Sequence, residues 1–253
     1  MKKISNIMWC GVMLAALSSC TEEDYKVYDT SQKDSVFFEY RDDANKLIEA
    51  IEYNFNYDIA DSHTIEIPVS LMGMPKDYDR TYNIVVIDDE TDMVEDVNYV
   101  ISDNVIKARA VNGVVKVNLL RNLDPELLTT SKTLTLSISE NDQLKSVGEN
   151  KFAITYSDIR PEVRPVWWTP YATMPVYSYE NAQLFFDYFY RLVPVANQAI
   201  YNEIINTYGD YFVKHKTGMV SPLVYYERFL RQYVMIPLYN EHPEIDWQAS
   251  PLF

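Results

Sequence analysis

Apolar and polar residues alternate along short segments between residues 35 and 157. The strictest example runs from Ile65 to Leu71, where every second residue is apolar. Such alternation places the apolar side chains on one face of a pleated strand. Pro68 lies on the polar side of its strand and predicts a sheet edge or a bulge there. The pattern predicts eight strands, at residues 36–40, 51–58, 64–71, 81–88, 99–101, 114–120, 134–139 and 152–157.

These eight short strands are separated by polar turns, and no long helical pattern interrupts them. This arrangement favours an antiparallel β-sandwich of immunoglobulin-like type over residues 35–160, with a β-barrel as the alternative. The sequence lacks the Cys…Trp…Cys signature, which excludes a true antibody-type domain but not the general architecture.

After residue 160 the apolar spacing changes to that of helices. Pro161 and Pro165 disfavour regular structure between them and predict a domain boundary there. The spacing and the capping residues predict three helices: one from Ser178 through Leu192, one from Pro194 to before Gly209, and one from Ser221 toward Pro237. The sequence therefore predicts an α+β multidomain protein, with a small helical C-terminal domain over residues 161–253.

The first 19 residues have the features of a signal peptide. Lys2 and Lys3 precede a largely apolar stretch, residues 4–17, which is too short to span a bilayer as a stable helix. Leu17-Ser18-Ser19-Cys20 resembles the bacterial lipobox, whose cysteine is acylated and becomes the first residue of the mature chain. We predict cleavage before Cys20 and a membrane anchor on that cysteine. A secretory signal with a coincidental cysteine is the alternative.

Residues 20–34 are predicted to be a flexible acidic tether. Residues 21–24 (Thr-Glu-Glu-Asp) resemble the signal that sends lipoproteins of Bacteroidota to the cell surface, although a solvated tether explains them too. Removing Lys2 and Lys3 with the signal peptide changes the formal net charge from −15 to −17. A surface of this charge repels polyanions, so nucleic acid is excluded as a partner. We expect the protein in the outer membrane, facing the outside.

Aromatic residues supply the candidate binding chemistry. Trp167 and Trp168, next to Tyr171, could stack on a sugar ring or a peptide side chain, or could pack at the junction of the domains. Twelve of the 21 tyrosines follow residue 160, among them the pairs Tyr188 with Tyr190 and Tyr225 with Tyr226. They fit a recognition surface or a small core equally well.

The sequence contains no recognisable catalytic or metal-binding constellation. Its histidines, His63, His215 and His242, lie in separate segments without zinc-site spacing. Residues 88–96 are acidic but lack the glycine and the ligand spacing of an EF-hand loop, so a solvated turn is the simpler interpretation. We therefore predict no enzyme activity, no cofactor and no resident metal, although a distant pair of carboxylates could still serve glycoside hydrolysis.

Several segments resemble a family of Bacteroidota surface lipoproteins that has no assigned activity. The segments are residues 35–40 (SVFFEY), 55–58 (FNYD), 67–80 (IPVSLMGMPKDYDR), 167–168 and 177–178. Members of that family accompany SusC/SusD-type outer-membrane uptake systems for glycans or peptides. The resemblance thus implies a TonB-dependent transporter with its SusD-like lipoprotein as partners.

The leading hypothesis is a non-catalytic accessory or binding lipoprotein of such a nutrient uptake system. An adhesin or fimbria-like structural subunit is the second hypothesis, and it would require self-assembly of the delipidated protein. A surface hydrolase of glycan or peptide is the third, and it would require product formation from such polymers.

Overall fold

The alternating segments form strands in the computed structural model, which describes residues 32–42, 44–147, 150–169 and 173–252. Each of the eight predicted strands is confirmed, with 81–88 divided into two, and two further short strands, β7 and β10, were not predicted. The strands are β1 Asp34–Phe38, β2 Ala50–Asn54, β3 Ser62–Met72, β4 Arg80–Thr81, β5 Asn83–Val86, β6 Tyr99–Ser102, β7 Val105–Ile106, β8 Asn112–Leu120, β9 Lys132–Ser139, β10 Leu144–Ser146 and β11 Lys151–Ser157.

The predicted signal peptide, Cys20 and nearly all of the predicted tether lie outside the described residues. Within the described part, no helix is both long and apolar enough to cross a membrane.

The strands form two larger sheets, ordered β10-β1-β3-β8-β6 and β2-β11-β9-β5, and β4 pairs with β7. Both larger sheets contribute to one buried core, for example through Val36, Ile67, Leu134 and Ile154. The pairs β1–β10 and β2–β11 are parallel, so the prediction of purely antiparallel pairing is wrong. Each parallel pair joins an early strand to a late one, and alternation along the chain carries no information about such long-range pairing.

Pro68 lies inside a sheet, not at its edge. β3 is flanked by β1 and β8, and its register with β8 continues without a bulge through Pro68, so the prediction of an edge or a bulge is wrong. The proline is tolerated because β1 ends at Phe38, before the position opposite Pro68. Glu39 N still donates to Pro68 O at 2.8 Å, so the proline removes a single ladder bond, the one that its N–H would have donated to Glu39 O just beyond the end of β1.

The first helix begins where the sequence predicts. Helix α1, Tyr179–Ala196, starts after Ser178, whose Oγ accepts a hydrogen bond from Asn181 N at 3.0 Å. Pro194 lies inside the last turn of α1, so the prediction of a new helix from Pro194 is wrong.

The break between the first two helices comes three residues after the proline. Asn197 has an extended backbone, and its side chain accepts a hydrogen bond from Ile200 N at 3.1 Å. It thereby caps helix α2, Gln198–Tyr208, and this cap sets the boundary. Gly209, with φ of 75°, ends α2 as predicted, because glycine adopts this left-handed conformation without a Cβ clash.

The predicted third helix is broken into short pieces. Ser221 caps the first piece, as predicted, by accepting from Leu223 N at 3.2 Å. Tyr226 departs from helical angles, whereas from Glu227 the helical backbone runs on through a π-helical turn and past Pro237. The helical segment therefore extends beyond Pro237, toward which the sequence predicts it to run. The pieces are α3 Pro222–Tyr225, α4 Glu227–Leu230, a π-helical turn at Arg231–Met235 and α5 Ile236–Glu241.

The described chain is thus mixed α+β, with a strand-rich N-terminal region and a helical C-terminal region. Asp34–Phe253 forms one compact unit. The boundary between residues 160 and 161 and the immunoglobulin-like identity of the strand region stay predictions.

Tyr57, which belongs to the turn after β2, connects the two regions. Its ring is buried among aromatic side chains of the helical region, stacked on Phe186 at 5.3 Å between centroids and edge-on to Trp167 at 6.2 Å. Its hydroxyl lies 3.1 Å from that of Tyr177. The strand region therefore contributes a side chain to the core of the helical region.

Arg121 holds the backbone beside Tyr57. Its guanidinium donates to Asp58 O at 2.5 Å and to Ala60 O at 3.1 Å. It also pairs with the buried carboxylate of Asp158 at 2.7 Å and donates to the hydroxyl of Tyr179 on α1 at 2.9 Å. Charge pairing offsets the cost of burying this arginine, and the remaining donors satisfy partly buried carbonyl groups.

We expect Tyr57→Ala to lower the free energy of unfolding by about 3 kcal/mol, because it leaves a cavity in the aromatic cluster. Tyr225→Ala is the matched control, since Tyr225 is 65% exposed and should change stability by less than about 0.5 kcal/mol. Urea unfolding of the processed chain measures both values. Equal effects of the two substitutions would contradict the role given to Tyr57.

Candidate functional site

A groove of about 840 Å³ lies where the end of β2 meets the helical region. Tyrosines, carboxylates and amides make up most of its lining, and it is the strongest candidate for a ligand site. The lining residues are Glu52, Tyr53, Asn54, Asn56, Asp58, His63, Ser131, Thr155, Tyr156, Ser157, Tyr190, Asp210, Tyr211 and Val213.

The turn after β2 forms one wall of the groove. Asn56 has a φ of 49°, a left-handed conformation that asparagine tolerates, and its N–H donates to Asn54 Oδ1 at 2.7 Å. Both oxygens of the Asp58 carboxylate are engaged: Oδ1 accepts from Ala60 N at 2.9 Å and Oδ2 from the Tyr53 hydroxyl at 3.3 Å. Asp58 is therefore a fixed acceptor.

The segment that follows α2 forms the opposite wall. Tyr211 and Phe212 are consecutive residues with positive φ, 50° and 58°, a conformation that costs non-glycine residues about 1–3 kcal/mol each. Two contacts hold them: the Tyr190 hydroxyl accepts from Tyr211 N at 2.8 Å, and the Phe212 ring is buried in the aromatic cluster. The strained backbone places the Tyr211 side chain at the groove.

Three of the four tyrosines that line the groove, Tyr53, Tyr190 and Tyr211, are kept in their protonated form. Burial, and next the negative charge of Asp58, raise the pKa of Tyr53 and of Tyr211. Burial likewise raises the pKa of Tyr190, and the charge of Asp210 adds to this effect. The three hydroxyls therefore remain neutral, and two of them donate to groove carboxylates: Tyr53 to Asp58 Oδ2 and Tyr190 to Asp210 Oδ1 at 3.4 Å.

His63, at the start of β3, lies against Tyr53 in the groove. The two rings are stacked, with centroids 3.9 Å apart and planes inclined by 12°. Burial lowers the pKa of His63, and the charge of Asp58 opposes this shift only in part. His63 is thus predominantly neutral at neutral pH.

The tryptophans expected from the sequence lie elsewhere. Trp167 and Trp168 are 4% and 1% exposed and pack among Tyr57, Phe185 and other rings of the helical region. Their faces are covered by other protein side chains, so they do not form an exposed stacking platform. They pack inside the aromatic cluster, where Tyr57 of the strand region meets the helical region. Tyr171 lies outside the described residues.

The other candidates from the sequence do not come together. The part of the chain that the structure describes holds no group of three or more histidine, cysteine, aspartate or glutamate residues that could bind a metal. In the acidic segment, Glu90 pairs with Lys151 at 2.6 Å and Asp92 Oδ1 accepts from Thr133 N at 2.5 Å. His215 and His242 are not among the residues that line the groove.

Sequence reasoning missed the groove. Tyr53, Asp58 and Tyr211 are separated by up to 158 positions in the chain, and only the fold brings them together. One signal was present, since Tyr190 belongs to the tyrosine surplus; residues 55–58 (FNYD) instead continue the strand alternation, and nothing in the sequence marks the end of β2 at Asn54.

A family model described as a domain of unknown function (DUF4843) matches residues 28–189 of this chain. The search of curated proteins gives no match.

Solved structures from Bacteroides species resemble parts of the chain. One is described as a "putative carbohydrate binding protein" from Bacteroides ovatus ATCC 8483, with 16% identity, a TM-score of 0.35, and coverage of 49% of this chain and 37% of the other. Another is a two-domain protein of unknown function from Bacteroides fragilis NCTC 9343, with 11% identity, a TM-score of 0.37, and coverage of 63% and 51%. The chain spans less than two thirds of the length of each.

Acidification should destabilise the protein through His63. Because the folded pKa lies below the unfolded value of about 6.5, the unfolded chain binds the proton more readily, and stability falls as pH drops through that value. His63→Phe keeps a stacked ring without a titrating group. Urea unfolding at about pH 7.5 and about pH 5.5 should show a smaller pH-dependent loss in the variant than in the native chain. Equal losses in the two proteins would contradict this prediction.

Proposed function

Since this chain belongs to the DUF4843 family, a domain of unknown function, we propose from its own residues that it is a lipid-anchored, non-catalytic binding protein of the outer cell surface. In this proposal the mature protein is tethered through Cys20 and takes a glycan or a peptide into the groove at the end of β2. It serves a SusC/SusD-type nutrient uptake system.

The groove is the observation that carries the binding role. It combines three protonated tyrosines with fixed carboxylate and amide acceptors, and such a lining can both pack against a ligand and hydrogen-bond it. Protein donors already engage both oxygens of Asp58. This carboxylate is therefore better suited to anchoring a ligand as a hydrogen-bond acceptor than to acting as a general base.

The immunoglobulin-like interpretation is part of the proposal, and the strand order supports it. β1-β3-β8-β6 follows the order A-B-E-D of an immunoglobulin constant-type sheet, and β5-β9-β11 follows the order C-F-G of its partner sheet. β2, parallel to β11, extends the second sheet at its edge. Sandwiches of this type carry binding sites at the ends of the sheets, where this groove lies.

The surface location and the transporter partner rest on the lipobox, the acidic residues 21–24 and the resemblance of residues 35–40, 55–58 and 67–80 to surface lipoproteins that accompany such systems. Two or more acyl chains at Cys20 would give stable anchoring without a transmembrane helix.

If the proposal is right, affinity isolation of the native lipoprotein from detergent-solubilised membranes should recover a TonB-dependent transporter. Cys20→Ala should remove acyl labelling and leave the signal peptide uncleaved, because the lipobox cysteine directs both steps. Repeated isolation of the lipoprotein alone would count against the transporter, and acyl labelling or cleavage of Cys20→Ala would count against the anchor.

Groove binding can be tested with a glycan array and a mixture of tryptic peptides applied to the detergent-solubilised lipoprotein. Tyr211→Gly removes the ring and suits the positive φ at this position, so the variant should fold. We expect its affinity for the bound ligand to fall about tenfold or more, as for an aromatic anchor. Tyr225→Ala, which changes an exposed tyrosine outside the groove, should leave affinity unchanged. Failure of both ligand sets to bind would refute the binding role.

A further inference from the structure

β2 has one open edge. It lies at the end of its sheet and pairs with β11 alone among the described strands. Phe55 N donates to Ser157 O, and Glu49 O accepts from Ala153 N, so the odd-numbered residues of this segment face β11. Backbone groups of successive residues point to opposite sides of a strand in the sheet plane. The N–H and C=O groups of Ala50, Glu52 and Asn54 therefore point away from β11.

The groove borders this open edge at the end of β2. Glu52 and Asn54, whose backbone groups point outward, are among its lining residues. Tyr53 lines it as well, and its ring stacks on His63 of β3. Successive side chains of a strand lie on opposite faces, so the groove meets both faces of the sheet where β2 ends. A peptide that paired with the outward backbone of Glu52 would therefore lie beside the groove.

The groove carries negative charge. Glu52, Asp58 and Asp210 line it, and no lysine or arginine is among the described residues of its lining. The formal charge of the whole chain, −15, has the same sign. A positively charged ligand complements this acidic lining, whereas an acidic ligand is repelled by it.

Asn56, which lines the groove, carries an unsatisfied acceptor. Its Oδ1 is buried and has no hydrogen-bond partner within the described part of the chain. A buried acceptor without a donor costs free energy, and a ligand N–H that reached it through a rotation of the Asn56 side chain would recover this cost. Tyr53 and Tyr211, together with Asp58, line the same groove, and a cation is favoured beside aromatic rings and a carboxylate.

We propose that the edge of β2 binds an extended peptide by strand addition, and that a lysine or arginine side chain of this peptide enters the pocket formed by Tyr53, Asn56, Asp58 and Tyr211. This inference rests on the proposed binding function and narrows its ligand to basic, extended peptides. Main-chain hydrogen bonds to Glu52 give affinity, and the pocket gives the preference for positive charge.

The probe is a short synthetic peptide of alternating threonine and lysine, titrated by calorimetry into the detergent-solubilised lipoprotein. Three comparison ligands separate the contributions: the same peptide with glutamate for lysine, the same peptide with alternate backbone nitrogens methylated, and a neutral glucan oligosaccharide. We expect binding of the lysine peptide that weakens as salt is added, and at least about tenfold weaker binding of the two modified peptides.

Two substitutions at one position test the strand edge. Glu52→Pro removes the outward N–H and the charge, whereas Glu52→Val removes only the charge. Proline is tolerated at an edge strand where its nitrogen faces away from the sheet. We expect Glu52→Pro to weaken binding of the lysine peptide about tenfold more than Glu52→Val does. Thermal unfolding of both variants checks that the fold is retained.

Equal binding of the methylated and unmethylated peptides would overturn strand addition, even if Glu52→Pro failed to fold. Binding of the oligosaccharide in a Tyr211-dependent manner, without binding of the lysine peptide, would also overturn it while leaving the proposed function intact. If neither ligand class binds, the proposed function fails together with this inference.

Discussion

The insertion of Tyr57 into the helical region is the interaction on which the rest of the structure depends. The ring leaves the strand region at the end of β2 and enters a cluster built by Trp167, Phe186 and neighbouring aromatics. Burying a side chain of this size contributes about 1.5–3 kcal/mol. Because the residues on either side of Tyr57 line the groove, the same insertion fixes the wall on which a ligand would lie.

When Tyr57 inserts into the helical region, the backbone carbonyl groups of its turn need hydrogen-bond donors from the protein. The carbonyl groups of the turn are partly buried, and such groups are costly when left unpaired. Arg121 supplies donors to Asp58 O, and α1 supplies the Tyr179 hydroxyl to Asn56 O at 2.5 Å and Gln183 Nε2 to Asp58 O at 2.8 Å. The strand region and α1 therefore satisfy one turn together, which explains why the described chain packs as one unit.

Local patterns predicted the local structure well. Alternation located eight strands, and Ser178 and Ser221 marked helix starts, because side-chain periodicity and capping depend on neighbouring residues alone. Prediction failed where the structure depends on residues far apart in the chain. Pro68 is tolerated inside a sheet because β1 ends beside it, and the parallel pairs β1–β10 and β2–β11 join early strands to late ones. The groove was missed for the same reason, since Tyr53 and Tyr211 meet only in three dimensions.

The turn after β2 both carries Tyr57 into the aromatic cluster and forms one wall of the groove. A change in the length of this turn would therefore affect stability and binding together. Binding loops commonly diversify by changing length. Here an inserted or deleted residue between Asn54 and Asp58 would rotate Tyr57 out of its cluster and displace the groove wall at once. Substitutions at rim positions such as Glu52 and Val213, by contrast, would change the lining of the groove without moving the turn.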